Sequence, residues 1–157
     1  MPLKIRIIER ELHLGKIYSM LLKNYLKSLY SESWHEKHNR IKIIINDLYK
    51  KYPTADFSHG DCGVLALHLI KVFGEGTVSL VITEDEPDRA LHALYQSGHD
   101  YYDERGAVDG DEVKQTYEQN YSEDSIQIND GYTKKDLAYI LKMTHPKLNR
   151  NQIQELI

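Results

Sequence analysis

The stretch Ser58-His59-Gly60-Asp61-Cys62-Gly63-Val64-Leu65-Ala66-Leu67-His68-Leu69-Ile70 decides the reading of this chain. A polar, glycine-containing turn runs straight into an apolar stretch with helical spacing, and the only cysteine of the 157 residues falls at the junction. Leu65, Leu69 and Phe73, with Ala66 and Ile70, form the face this helix buries. Gly74 and Gly76 stop it. At a helix start, unpaired backbone N–H groups and the macrodipole favour a thiolate over a thiol. Those N–H groups can also hold a developing oxyanion, the Cys62 N–H among them. Gly60 and Gly63 leave room for a substrate backbone beside the sulfur, whereas the neighbouring Asp61 carboxylate works against thiolate formation.

Outward from this helix, Thr77-Val78-Ser79-Leu80-Val81-Ile82-Thr83 is β-branched and apolar and predicts a buried strand. After an acidic loop from Glu84 to Arg89 comes His92-Ala93-Leu94-Tyr95-Gln96-Ser97-Gly98-His99-Asp100-Tyr101-Tyr102-Asp103-Glu104-Arg105-Gly106, which reads as a hairpin. With Ser97-Gly98 as its two-residue turn, His92 stands directly opposite Asp103 on the same face. A turn one residue longer breaks this parity, and a four-residue loop restores face agreement on a diagonal. A thiol, an imidazole and an orienting carboxylate are the parts of a nucleophilic acyl-transfer site.

Helical spacing predicts further helices over residues 12–30 and 33–51. Ser31 or Ser33 caps the second, and Pro53 ends it. Residues 3–8 fit a strand or the start of the first helix. Residues 110–121 and 133–144 predict two more helices, the latter with Thr133 as N-cap and Asp136 three residues on. Asn149 or Asn151 begins a short terminal one. Helices first, then a cysteine-bearing helix, then antiparallel strands, is an α+β order. The whole chain is expected to form one domain, with a helical part over 1–52, a core over 53–110 and a second helical part over 111–157.

Composition narrows the function classes. Hydrophobic content of 41% and charged content of 28% are ordinary for a soluble globular protein. No apolar run approaches the ~20 residues of a membrane span. The N-terminal residues carry charges too closely spaced for a signal-peptide core. A lone cysteine excludes an internal disulfide framework, and a cytoplasmic location is the expectation. The net charge of −4 hides an asymmetry: residues 1–51 carry eleven Lys/Arg against five Asp/Glu, and residues 83–130 carry three against fourteen. That balance argues against a nucleic-acid partner. It points to a cationic substrate or to a solvated acidic face.

Other residues read as follows. His59 and Cys62 have a His-x-x-Cys spacing, but a zinc site needs further ligands and no second cysteine exists, so no metal is expected. Tyr95, Tyr101, Tyr102, Tyr117 and Tyr121 cluster near the site. Tyr95 and Tyr102 are the candidates to line a substrate groove, with core packing as the alternative. Phosphate-loop, dinucleotide and Gly-x-Ser-x-Gly motifs are absent from the sequence.

Gly60-Asp61-Cys62-Gly63 with the apolar run to Leu69 resembles the cysteine helix of papain-like and transglutaminase-like thiol proteins. The segments His92 to Tyr95 and Tyr101 to Gly106 resemble their histidine and aspartate strands, in the same Cys, His, Asp order. The resemblance covers roughly residues 56–110. It implies a papain-like fold, with N-terminal helices and the cysteine helix packed on a small antiparallel sheet. It implies Cys62 as nucleophile, His92 as base and Asp103 as orienter, with no cofactor. The chain departs from papain-like peptidases in lacking a glutamine from Pro53 to Gly60, so Ser58 or a backbone N–H is the expected oxyanion donor. The expected activity is hydrolysis or acyl transfer at an amide, isopeptide or thioester bond of a protein, peptide or small acyl substrate. The rival is a non-catalytic papain-like binding or inhibitor protein, for example of phage or mobile-element origin, that docks its acidic face on a basic partner. The oligomeric state is left open.

Overall fold

In a computed structural model of the chain, the described residues are 21, 34–86, 88–120 and 125–157. The predicted strand or helix over 3–8 and, apart from Leu21, the predicted helix over 12–30 lie outside them. So do Ser31 and Ser33, the predicted caps, and Tyr121. Two units divide the chain, residues 1–37 and 38–157. The second holds the sheet and every candidate residue named above.

Helix α1, Trp34–Lys51, places Ile41, Ile45 and Leu48 in the core at helical spacing. It closes where the Tyr52 N–H bonds Leu48 O at 2.7 Å, just before Pro53. Helix α2, Cys62–Phe73, is apolar nearly all round, and eight of its twelve residues are buried. It is therefore an inner helix rather than a surface one. It stops at Gly74, whose φ of 69° is the left-handed cap that only glycine adopts without strain.

Five antiparallel strands follow: β1, Thr77–Thr83; β2, Ala90–Ser97; β3, Asp100–Asp103; β4, Gly106–Val108; and β5, Ile126–Tyr132. Their order in the sheet is β4-β3-β2-β1-β5. Helix α3, Gly110–Asn120, carries the chain from one edge of the sheet to the other. A 3₁₀ turn at Lys134–Asp136, capped by the predicted Thr133–Asp136 box, leads into α4, Leu137–Thr144. Asn149 caps the last helix, α5, Arg150–Leu156. The architecture is α+β, and among the described residues no helix is long and apolar enough to cross a membrane.

The sheet is apolar on both faces. Val78, Leu80, Ala93 and Tyr95 join α2 and α4 residues in the main core. Val81 and Leu94, alternate residues of the same strands, join Val113 of α3 and Ile126 of β5 in a smaller cluster.

Two sequence expectations need correction here. The segment 111–157 is not wholly helical, because it contains β5. Only Ile126 is buried in that strand, and Asn129-Asp130-Gly131 reads as a turn. Its pairing with β1 slips register between Val78 and Leu80, and Gly131 sits at φ 92°. The hairpin turn is also displaced. Tyr95 pairs with Tyr102 and Ser97 with Asp100, so Gly98-His99 is the turn. Gly98 has φ 63°, the positive value that mirror-image hairpin turns need at the first position.

Candidate active site

Asp61 positions Cys62 from the loop side. Its carboxylate is fully buried and accepts three backbone N–H bonds: from Asp56 at 2.8 Å to Oδ2, and from Lys147 at 2.8 Å and Leu148 at 2.9 Å to Oδ1. The residue expected to oppose the thiolate thus spends its charge tying the loop before α2 to the segment after α4. The two glycines serve the same junction. A Cβ on Gly63 would meet Thr144 Oγ1 at 2.5 Å, and one on Gly60 would meet His145 O at 2.8 Å. Gly63 is buried against α4, so its small size admits that helix rather than a substrate. Gly60 lies on the cleft described below.

The oxyanion expectations also shift. The Cys62 N–H donates to His59 O at 2.8 Å and is not free for a ligand. Leu65 N–H bonds Asp61 O. The N–H groups of Gly63 and Val64 bond no loop carbonyl among the described residues, so they are the donors left at the helix start. Ser58 Oγ donates to Asp56 Oδ1 at 2.7 Å and lies 2.9 Å from His59 Nδ1, away from the cleft lining.

His92 and Asp103 come together on a diagonal. Extended one step beyond the Tyr95–Tyr102 pair, the register puts Asp103 opposite Leu94, two residues from His92 on the same face. Because strand side chains alternate with period two, the displaced turn preserves that face. A bulge lies beside His92: Val81 pairs with His92 and Ile82 with Ala90, leaving Leu91 extra. Such bulges turn a strand locally and re-aim its side chains. His92 Nε2 lies 3.1 Å from Asp103 Oδ2.

Two residues that the sequence reading missed complete this group. Arg105 holds Asp103 from behind, with its backbone N–H 2.9 Å from Oδ1 and its Nη2 2.6 Å from Oδ2. Glu104 places Oε2 3.6 Å from His92 Nε2, buried and without a hydrogen bond among the described residues. The Asp-x-Arg spacing across a tight turn was the available signal for Arg105.

The electrostatics follow from burial and from these neighbours. Burial opposes charge on His92, but Asp103 and Cys62 outweigh it and push its pKa up to about 10. With Nε2 engaged by Asp103, the buried Nδ1, which makes no hydrogen bond of ordinary geometry among the described residues, is the nitrogen left to meet the thiol. Burial likewise works against the Asp103 carboxylate, yet bonds from His92 and Arg105 hold its pKa below the ordinary value. Glu104 is raised, first by burial and then by the Asp103 charge.

Cys62 lies on an open cleft of about 600 Å³. Its other walls include Ala90 and Leu91 from the start of β2, Tyr117 from α3, and Thr144. The Tyr117 ring centroid is 6.0 Å from that of His92. Burial first, then charge on Cys62, keeps the Tyr117 phenol protonated well above its ordinary range. His92 itself is only 2% exposed and sits behind this surface. Tyr95 and Tyr102 are core residues, not groove residues: both are buried, their rings 5.9 Å apart, with Tyr95 Oη donating to Glu75 O at 3.2 Å. Among the described residues the ionisable groups on the cleft are His59, Arg89, His145 and Lys147 besides Cys62 and Tyr117, so the described acidic side chains of 83–130 do not line it.

His92, Asp103 and Glu104 offer ligand atoms within 4.8 Å of one another, a spacing a cation could use. Arg105 already supplies the positive charge there, with its Nη2 2.6 Å from the Asp103 oxygen that would be a ligand. The donor set therefore fits a charge-paired imidazole better than a metal ion.

No protein family, curated protein or solved structure matches this chain.

Proposed function

We propose that this protein is a cysteine-dependent hydrolase or acyltransferase with a papain-like arrangement, acting on an amide, isopeptide or thioester bond. The observation that carries the reading is a buried juxtaposition behind the cleft. Cys62, at a helix start on the cleft, is close enough to act on the charge of His92, whose Nε2 is 3.1 Å from a buried carboxylate. Those are the roles of nucleophile, acid–base and orienter.

The raised pKa of His92 favours an imidazolium, the cation that this reading sets against the Cys62 sulfur. The sulfur attacks the carbonyl carbon, forming a C–S bond and an oxyanion near the N–H groups of Gly63 and Val64. His92 gives its proton to the departing amine or thiol as the original bond breaks. The neutral imidazole then takes a proton from water or an acceptor amine, which attacks the thioester and releases the Cys62 thiolate. Asp103, fixed by Arg105, holds the ring through both halves.

A second reading, a binding protein on the same scaffold, is favoured by one observation. Cys62 is 3% exposed and His92 2%, so the pair is nearly closed to solvent. Labelling of the single cysteine separates the two. Iodoacetamide at pH 6.5 should modify Cys62 on the order of 10- to 100-fold faster than a free thiol, of which only about 1% is ionised two units below ~8.5. His92→Ala should remove that advantage. Rates equal to those of a free thiol in both proteins would sink the catalytic reading.

A further inference from the structure

The cleft around Cys62 differs in charge from the acidic chain segment that supplies one of its walls. Among the described residues its lining includes Arg89, Lys147, His59 and His145 and no carboxylate. Two of these are offset from behind: Lys147 Nζ is 2.5 Å from Asp56 Oδ2, and His59 Nδ1 is 3.6 Å from Asp56 Oδ1. Arg89 is different. Its backbone N–H donates to Glu86 O at 3.2 Å, its side chain is exposed, and no carboxylate among the described residues pairs with it. Arg89 and His145 also line a shallower depression with Asp85, Glu86, Asp88 and Lys142, and all three acids are exposed to water.

We propose that this cleft receives a carboxylate group of the acyl substrate, with the Arg89 guanidinium as the group that binds it. The proposal rests on the thiol reading and specifies its substrate class: an acyl compound with a carboxylate within the same small cleft as its scissile bond. Guanidinium presents a planar fork that a carboxylate matches with two parallel hydrogen bonds. A single guanidinium, with exposed carboxylates on its other side, suits a monoanion better than a dianion such as phosphate. Ala90 and Leu91 form apolar wall on the cleft side, and low-dielectric walls focus the field of a charge. A volume of about 600 Å³ suits a ligand of small-molecule size. The preference is opposite to the cationic substrate suggested by the charge count over 83–130, because that count does not say which charges face the sulfur.

Iodoacetate and iodoacetamide test this directly. They share a leaving iodide and differ in carrying a carboxylate or a neutral amide. Cys62 is the only cysteine, so each rate reports on this cleft. The ratio of the two rates is divided by the same ratio for 2-mercaptoethanol at equal pH and salt. We expect a normalised ratio of about 10 at low ionic strength, decreasing as salt screens the site. Arg89→Gln should lower it about threefold, the scale of one exposed ion pair, and Arg89→Lys should restore part of it. Lys50→Gln, which removes a positive charge paired with Asp47 on α1, should leave the ratio in place. A normalised ratio at or below 1, or one that Arg89→Gln does not change, overturns the carboxylate site. The two levels of inference fail separately. Fast iodoacetamide labelling with a flat ratio removes the carboxylate site and keeps the nucleophile. Ordinary iodoacetamide labelling with a raised ratio does the reverse. A folded protein that neither reagent labels overturns both.

Discussion

The loop before α2 and the end of β3 each bury an aspartate, and the two are held in opposite ways. Asp61 meets only backbone: three N–H groups from two chain segments. Asp103 meets an imidazole, a guanidinium and one backbone N–H. Backbone donors cannot titrate, and their positions are set by the fold. Asp61 is therefore an anchor that fixes where α2 begins, and so where Cys62 sits. The partners of Asp103 are mainly side chains, one of which, His92, titrates with a pKa raised to about 10. The same residue type thus sets geometry on one side of the thiol and charge on the other.

This contrast is broken most forcefully at the anchor. Asp61→Ala removes the acceptor of three N–H bonds, and an unsatisfied buried donor costs about 1–3 kcal/mol. The variant should lose about 3 kcal/mol or more of stability in urea unfolding. Asp61→Asn keeps an acceptor at one position but faces an N–H with an N–H at the other, so it should fall between wild type and Asp61→Ala. Where either variant remains folded, Cys62 labelling should change less than stability does. A loss below about 1 kcal/mol for Asp61→Ala would mean that the loop is held by something other than this carboxylate.

Asp103→Asn should show the converse. Size and most packing are kept, but the charge that supports the His92 imidazolium is removed. Iodoacetamide labelling of Cys62 at pH 6.5 should slow by about tenfold, a factor that corresponds to ~1.4 kcal/mol. The change in melting temperature should be smaller than for Asp61→Ala. A large stability loss with an unchanged labelling rate would put Asp103 in the same class as Asp61.

The two aspartates also divide the pH response. His92 has a folded pKa raised from 6.5 to about 10, so its contribution to stability is fully present below 6.5 and is lost as pH rises through about 10. Asp103 has a folded pKa below 3.8, so its contribution is present above 3.8 and is lost as pH falls through the lower folded value. Wild-type unfolding midpoints should therefore decline between pH 6.5 and 10. His92→Gln should flatten that decline. An equal alkaline decline in both proteins would show that the His92 proton is not held by the fold.

Much of this arrangement was legible in the sequence where local chemistry dominates. Cys62–Phe73 announces itself by a glycine-rich start, an apolar run and Gly74. Thr77–Thr83 does so by β-branching. The meeting of His92 and Asp103 survived a displaced turn because side-chain direction has period two. What stayed hidden depends on distant chain. β5 has one buried residue and a turn-like Asn-Asp-Gly, and it is a strand because β1 offers it an edge. Asp61 neighbours Cys62 in sequence, but its carboxylate is aimed at backbone 86 and 87 residues away. Arg89 belongs to an acidic run and faces a cleft, a relation that a charge count does not contain.

The smallest expected effect tests whether Asp103 needs its second side-chain partner. Arg105 is 53% exposed at its side chain, so water screens its charge, and exposed ion pairs contribute only about 0.2–1 kcal/mol. Its geometry is nevertheless specific, since Nη2 and the residue's own N–H bond the two different oxygens of Asp103. The backbone bond remains in Arg105→Gln, so Oδ1 stays satisfied and only the bonds from the side chain are lost. Stability should change by less than about 1 kcal/mol. Labelling of Cys62 should fall by about two- to threefold, because a less constrained carboxylate holds the imidazole less firmly. High salt should narrow the gap between wild type and variant, since it weakens an exposed pair and leaves the buried His92–Asp103 bond largely untouched. A labelling loss as large as that of Asp103→Asn would instead make the guanidinium an equal member of the group, and the contrast with Asp61 would then rest on three side chains rather than two.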